Sequence, residues 1–343
     1  MNKPERPKVW TRIITDIDYE RPGKQAGRLF LPQSNNDSAW GAVAIPLVVV
    51  KNGQGPTLLL AAGTHGDEYE GQITLLELAK SLEPSAINGR VIIIPALHYP
   101  ACEAGARTSP IDGRDLNRSF PGEAAGSFAQ TLAHYITNVL LPMCDVVIDL
   151  HSGGRSLDCI PSTMSHILDD LTVMQRTVDL AKAFGAPFHV MNREVDGSQT
   201  FASTAERMGV IYMSSELGGG NRVSLDGLAI TRRGVVNAMI YLGLQKGEIS
   251  KPDEPTRPMV IPSSGDYGFA PERGIYAPHV PLGSRVKAGD LLGEIHRIND
   301  PLTPPASVRA SRPGLLWCQR GQGRIAVGDC SAVVVSDWTD SAA

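Results

Sequence analysis

The sequence predicts an α/β protein, with a mixed sheet flanked by helices on both faces and a smaller C-terminal all-β unit. Three observations carry this reading. Between about residues 40 and 250, short apolar runs alternate with stretches whose apolar residues recur at helical spacing. At 251–262 (KPDEPTRPMVIP) four prolines fall within twelve residues, a density that suits a linker or an extended edge and not a helix. Beyond it, 263–337 carries no helical stripe and reads as short strands separated by turns. The resulting division is a main domain at 1–250, a proline-rich linker at 251–262 and a small β domain at 263–343; within the first, 1–40 is an extension with no assigned structure.

The strand candidates are 43–50, 57–62, 91–97, 145–150, 187–191 and 210–215. Between them, Ile73, Leu76, Ala79 and Leu82 form one helical stripe. Phe128, Leu132, Tyr135, Ile136, Val139 and Leu140 form a second, and Val173, Val178, Leu180, Ala181 and Phe184 a third. Short apolar strands alternating with helices imply a parallel or mixed sheet buried on both faces. Ligands of such sheets bind beyond the carboxyl ends of the strands. Residues just after each strand are therefore the first candidates for a site.

With 343 residues, 42% hydrophobic and 20% charged, the chain can bury a sizeable core. A net charge of −4 lacks the basic footprint of a nucleic-acid binder. Apolar runs such as 91–97 and 139–143 are far too short to cross a bilayer. The opening MNKPERPKVWTR has no apolar core of signal-peptide length. Five cysteines (Cys102, Cys144, Cys159, Cys318, Cys330) are odd in number, scattered and without a CxxC pair. The expectation is a soluble cytoplasmic protein with buried, reduced thiols.

Four polar clusters sit at strand ends or in the loops that follow. After 57–62 comes His65-Gly-Asp-Glu68, whose spacing lets an imidazole and a carboxylate converge on one point. In the same run Asp67 could orient His65, and Glu70 could start the following helix. After VVID comes Leu150-His151-Ser-Gly-Gly, which supplies a second imidazole. His65, Glu68 and His151 then make a His₂Glu set of the kind that holds hydrolytic zinc. Arg107 and Asp115-Leu-Asn117-Arg118 share a glycine- and proline-rich loop suited to gripping a planar carboxylate. Ser215-Glu216-Leu-Gly-Gly-Gly ends the last strand with a carboxylate that has room for substrate and could act as a general base.

Taken in order, GTHGDEYEG, RTSPIDGRDLNRSFPG, DLHSGG and SELGGG resemble the succinylglutamate desuccinylase/aspartoacylase family, over about 45–245. The resemblance implies a zinc-carboxypeptidase-like fold and a zinc-dependent amidohydrolase that cleaves an N-acyl amino acid. It implies one zinc per subunit on His65, Glu68 and His151, with Glu216 as general base. Arg107 would polarise the scissile carbonyl, with Arg114 as a rival in the longer loop, and Asn117 and Arg118 would bind the substrate carboxylate. Within the family, the chain looks most similar to the branch that deacetylates N-acetyl-diaminobutyrate in ectoine breakdown. A second amine on such a substrate needs an acidic or carbonyl partner, for which Asp196, Glu206 and Asp226 are open choices.

Val286-Lys-Ala-Gly289-Asp-Leu-Leu-Gly293 and Val327-Gly-Asp329 are similar to the biotinyl/lipoyl carrier sandwich. The expected hairpin tip, 296–306, has no lysine to carry a cofactor, so shaping the site entrance or a subunit contact is the expected role. The partner implied throughout is a small N-acyl amino acid, with neither nucleic acid nor membrane, and a homodimer is one open oligomeric option. A deacylase for N-succinylglutamate or N-acetylaspartate, a carboxypeptidase and a non-catalytic metal-binding module are the competing readings.

Overall fold

The computed structural model of the chain describes residues 9–193 and 199–339. The N-terminal stretch folds as β1 (Ile14–Thr15) and β2 (Gly23–Pro32), the latter in a long antiparallel ladder with β3 (Ala42–Asn52). Next come β4 (Thr57–Ala62), α1 (Tyr69–Ser81), β5 (Gly89–Ile94), α2 (Tyr99–Ala104), α3 (Phe128–Tyr135) and β6 (Val146–Leu150). The segment after β6 contributes β7 (Leu157–Cys159) and β8 (Ser162–His166). The chain continues through α4 (Leu171–Phe184), β9 (Phe188–Asn192), α5 (Phe201–Arg207), β10 (Ile211–Glu216), α6 (Leu225–Tyr241) and β11 (Arg257–Ile261).

Parallel pairing in the order β5, β4, β6, β10 makes the centre of the sheet. Because these four strands run the same way, their carboxyl ends share one edge. That edge brings together the polar sequences that follow β4 and β6, the end of β10, and the loop beyond α2. Strand β4 shows how a period of two feeds both faces. Leu58 and Leu60 join the core beneath α1, α4 and α6, while Leu59 and Ala61 join the core beneath α3 and α5.

Differences from the predicted elements have local causes. Strand β5 stops at Ile94 because Pro95 has no N–H to extend the ladder. The second helical stripe is α-helical only to Tyr135; Ile136–Leu140 is a π turn and Leu141–Met143 a 3-10 turn, since Pro142 cannot donate to the carbonyl four residues back. Strand β8 (STMSH) is polar, so no apolar run announces it, yet it pairs antiparallel with β10 and parallel with β9.

Inside the proline-rich stretch, β11 pairs with β9 and buries Met259, Val260 and Ile261. The sheet thereby runs on into an antiparallel region of β12 (Tyr267–Phe269), β13 (Gly274–Pro278), β14 (Arg285–Val286), β15 (Leu291–His296), β16 (Ala306–Arg309), β17 (Gly314–Arg320), β18 (Arg324–Ile325) and β19 (Cys330–Asp337). Strands β19, β17 and β14 extend the main sheet, and β16–β15–β13–β18 form a second one. A separate core that includes Tyr276, Leu292, Ile295, Leu316 and Val334 fills this region. Strand β17 also pairs with β7, where Cys318 faces Cys159 and the two sulfurs are bonded. The expectation of five reduced thiols is thus wrong for this pair; Cys102, Cys144 and Cys330 are free. The partners lie 159 residues apart and meet only through strand pairing, which spacing along the chain does not reveal. Among the described residues, no helix is long and apolar enough to cross a membrane.

Candidate active site

Gly63, with φ at 70°, turns the chain out of β4, and a Cβ on Gly66 would lie 1.9 Å from the carbonyl oxygen of Ala101. The two glycines let this loop close against α2 so that His65 and Glu68, both buried, face each other. His65 Nδ1 lies 2.7 Å from Glu68 Oε1, and His151 Nδ1 lies 2.8 Å from Glu68 Oε2. One ligand atom from each of the three residues lies within 4.8 Å of the others.

The outer nitrogens test whether this cluster fits a cation. His151 Nε2 pairs with Asp149 Oδ2 at 2.8 Å, and His65 Nε2 with Asp115 Oδ1 at 3.2 Å. Each carboxylate fixes the N–H on that side and turns the Nδ1 lone pair toward Glu68. Two lone pairs facing a buried carboxylate need positive charge between them. Burial pulls the His151 pKa down, but the Asp149 and Glu68 carboxylates outweigh it and hold the imidazole well above its ordinary value. Conversely, burial raises Glu68, yet His65 and His151 hold it below the usual carboxylate range. Two imidazole nitrogens and one carboxylate oxygen are a set that zinc takes in open hydrolytic sites, so the residues fit a zinc ion.

Asp115, which sequence reasoning left without a role, links three parts of the site. Its Oδ1 meets His65 and accepts the Asn117 N–H at 2.8 Å, while its Oδ2 accepts Arg107 Nε–H at 3.1 Å. Asp67, the predicted partner of His65, instead accepts the Arg155 N–H at 2.8 Å. Glu70 does more than start α1: it is fully buried and accepts Ser152 Oγ–H at 2.5 Å and Ser224 N–H at 2.6 Å. It thereby ties together the loops that follow β6 and β10. Removing the charge in Asp115→Asn is expected to weaken zinc binding by about 10- to 100-fold. Competition against a coloured chelator measures this, and an unchanged affinity would remove Asp115 from the supporting role.

Arg107 Nη1 approaches His65 Nδ1 to 3.4 Å and Glu68 Oε1 to 3.9 Å, with the side chain 45% exposed. Arg114 is exposed, spends its backbone N–H on Asp112, and does not line the cavity. Asn117 and Arg118 do line it, and Asn117 Oδ1 is fixed by the Phe201 N–H at 2.9 Å. Glu216, the last residue of β10, faces the same cavity with a buried Oε2 that has no hydrogen-bond partner. Burial, with the Glu68 charge second, pushes its pKa up to about 7.

The cavity has a volume of ≈ 240 Å³. Its floor adds Met164, His166, Asn192 and Ser214 from β8, β9 and β10, none of which the sequence singled out. The period-two placement of Ser214 and Glu216 on β10 is the one signal that pointed there. Tyr267 lines the cavity from the C-terminal region, whereas no residue of 296–306 is among the described lining residues. Of the three acidic candidates for a substrate amine, Asp196 lies outside the described residues. Glu206 pairs with His166 Nδ1 at 2.8 Å behind the cavity wall, and Asp226 sits in the first turn of α6, away from the lining.

Comparison with known proteins places this geometry among relatives. The model of the succinylglutamate desuccinylase/aspartoacylase catalytic domain matches residues 54–242. An N-alpha-acetyl-L-2,4-diaminobutyric acid deacetylase from Halomonas elongata is 45% identical over 322 residues, covering 94% of each chain. A crystal structure of a succinylglutamate desuccinylase/aspartoacylase from Rhodobacter sphaeroides superposes with a TM-score of 0.92 at 43% identity, covering 96% of this chain and 100% of that one. The product-bound ectoine utilization protein from Ruegeria pomeroyi gives 0.92 at 41% identity, covering 96% and 99%.

Proposed function

The chain belongs to the succinylglutamate desuccinylase/aspartoacylase family, and from that premise we propose that it hydrolyses Nα-acetyl-L-2,4-diaminobutyrate to L-2,4-diaminobutyrate and acetate with zinc as cofactor. The observation that carries this reading is the convergence of His65, Glu68, His151, Arg107 and Glu216 on one small cavity. Its substrate is taken from the deacetylase relative that matches 94% of the chain.

His65, Glu68 and His151 would hold the zinc ion, which when bound would supply Lewis acidity and lower the pKa of a water toward neutrality. Glu216 accepts the proton of the attacking water on the oxygen that has no other partner, then returns it to the departing amine. A pKa near 7 suits both halves of that task. Arg107, held by Asp115, aims N–H groups at the place where negative charge grows on the carbonyl oxygen. Asn117 and Arg118 take the substrate carboxylate, which a guanidinium can hold by two parallel bonds.

Charge counting favours a substrate with a single carboxylate. Arg107 and Arg118 are the only Arg or Lys side chains among the described lining residues. With one on the carbonyl and the other on the α-carboxylate, neither is left for the extra carboxylates of N-acetylaspartate or N-succinylglutamate. An uncompensated buried carboxylate is costly. Purified protein with zinc is expected to show a kcat/KM for Nα-acetyl-diaminobutyrate about 100-fold or more above those for the other two compounds. Equal or higher values for N-acetylaspartate would sink the assignment.

A further inference from the structure

We propose that the Cys159–Cys318 bond is a redox-dependent latch that fixes one wall of the substrate cavity to the C-terminal β region. Strand β7 is only three residues long and sits between two partners. On one side it pairs with β17 at Cys318, Gln319 and Arg320. On the other it meets the glycine run that follows Glu216: Cys159 N–H donates to Gly218 O, and Gly220 N–H to Leu157 O. Ser156 and Leu157, on this same segment, line the cavity. This strand and the residue before it therefore carry part of the cavity wall, and the strand touches the backbone just beyond Glu216.

Backbone hydrogen bonds hold this strand on both sides, and the sulfur–sulfur bond adds a covalent tie to β17. Three register pairs join it to β17, and the β17–β19 ladder itself shifts register between Leu316 and Cys318. The sulfur–sulfur bond joins backbones whose Cα atoms are 4.1 Å apart and closes a sequence separation of 159 residues. A cross-link over so long a loop constrains the unfolded chain strongly. The two cysteines are 2% and 1% exposed, so thiol exchange waits on β7 lifting away from β17. Reduction takes two electrons and two protons from a dithiol reductant. The Cys159–Cys318 bond breaks, both residues become thiols, and the reductant closes into its own disulfide.

Thiol counting tests the bond without reference to any substrate. Protein purified without reductant, then denatured, is expected to expose three alkylatable thiols, with Cys159 and Cys318 recovered as one linked peptide. Five thiols would overturn the proposal. In native protein, reduction by a dithiol followed by alkylation should lower the melting midpoint by roughly 5 °C or more. It should also raise KM several-fold while changing kcat less. The Cys159→Ala/Cys318→Ala variant should match the reduced form and ignore the dithiol; where that variant fails to fold, the reduced wild type supplies the comparison. Reduced and oxidised proteins with the same midpoint and the same KM would show that the bond latches nothing. The thiol count and the melting midpoint stand apart from the deacetylase reading, so failure of one does not entail failure of the other.

Discussion

Glu216→Gln is expected to lower kcat by about 10²- to 10⁴-fold while leaving zinc bound. Glutamine keeps the size of the side chain and its place at the end of β10, but it cannot take a proton from water at neutral pH. The carboxylate it replaces is buried, has an oxygen with no partner, and stands outside the His65–Glu68–His151 cluster. Zinc content by atomic absorption should therefore stay near one per chain as turnover collapses. If KM changes little, the loss belongs to the chemical step and not to substrate binding. Near-normal turnover in this variant would take the proton-transfer role away from Glu216.

The second large effect is expected at the metal ligands. His151→Ala leaves His65 and Glu68 as the only ligands of the set, one short of the three that open zinc sites use. Zinc should then be lost on dialysis and activity should fall to background. The stability readout has its own direction. In the wild type, added zinc is expected to bind the folded state and to raise the melting midpoint progressively as its concentration exceeds the dissociation constant. In the variant that increment should vanish. His151 also sits between two carboxylates, Asp149 at 2.8 Å and Glu68 at 2.8 Å, so its removal strands buried negative charge. Some loss of stability in the metal-free variant is expected on that ground alone. A variant that still binds zinc tightly and turns over would contradict the ligand assignment.

Much of this site was legible along the chain because β4, β6 and β10 each end in ionisable or glycine-rich sequence and a fourth polar cluster follows in the loop beyond α2. Parallel pairing of β5, β4, β6 and β10 puts those ends on one edge, so proximity in space follows from repetition in sequence. What stayed hidden depends on contacts between segments far apart. Asp115 reaches His65 across 50 residues, while the adjacent Asp67 turns to the Arg155 backbone. Local spacing favours Asp67; the tertiary path of the loop decides for Asp115. Glu70 looks like a helix-start carboxylate by position, yet its two oxygens hold Ser152 and Ser224 on separate loops. Strand β8 escaped notice because its burial is satisfied by serine, threonine and histidine within a polar floor, which leaves no hydrophobic period to read. The Cys159–Cys318 pairing likewise needed β7 and β17 to be found side by side.

A deacetylase whose zinc is held by His65, Glu68 and His151 should lose and regain its activity with the metal. The most direct measurement follows acetate release from Nα-acetyl-diaminobutyrate as zinc is stripped from the purified protein by a chelator and then returned in steps. The rate is expected to fall to background in the stripped protein and to recover linearly, reaching its plateau at one zinc per chain. A rate that persists undiminished in protein shown to contain no metal would contradict the zinc dependence.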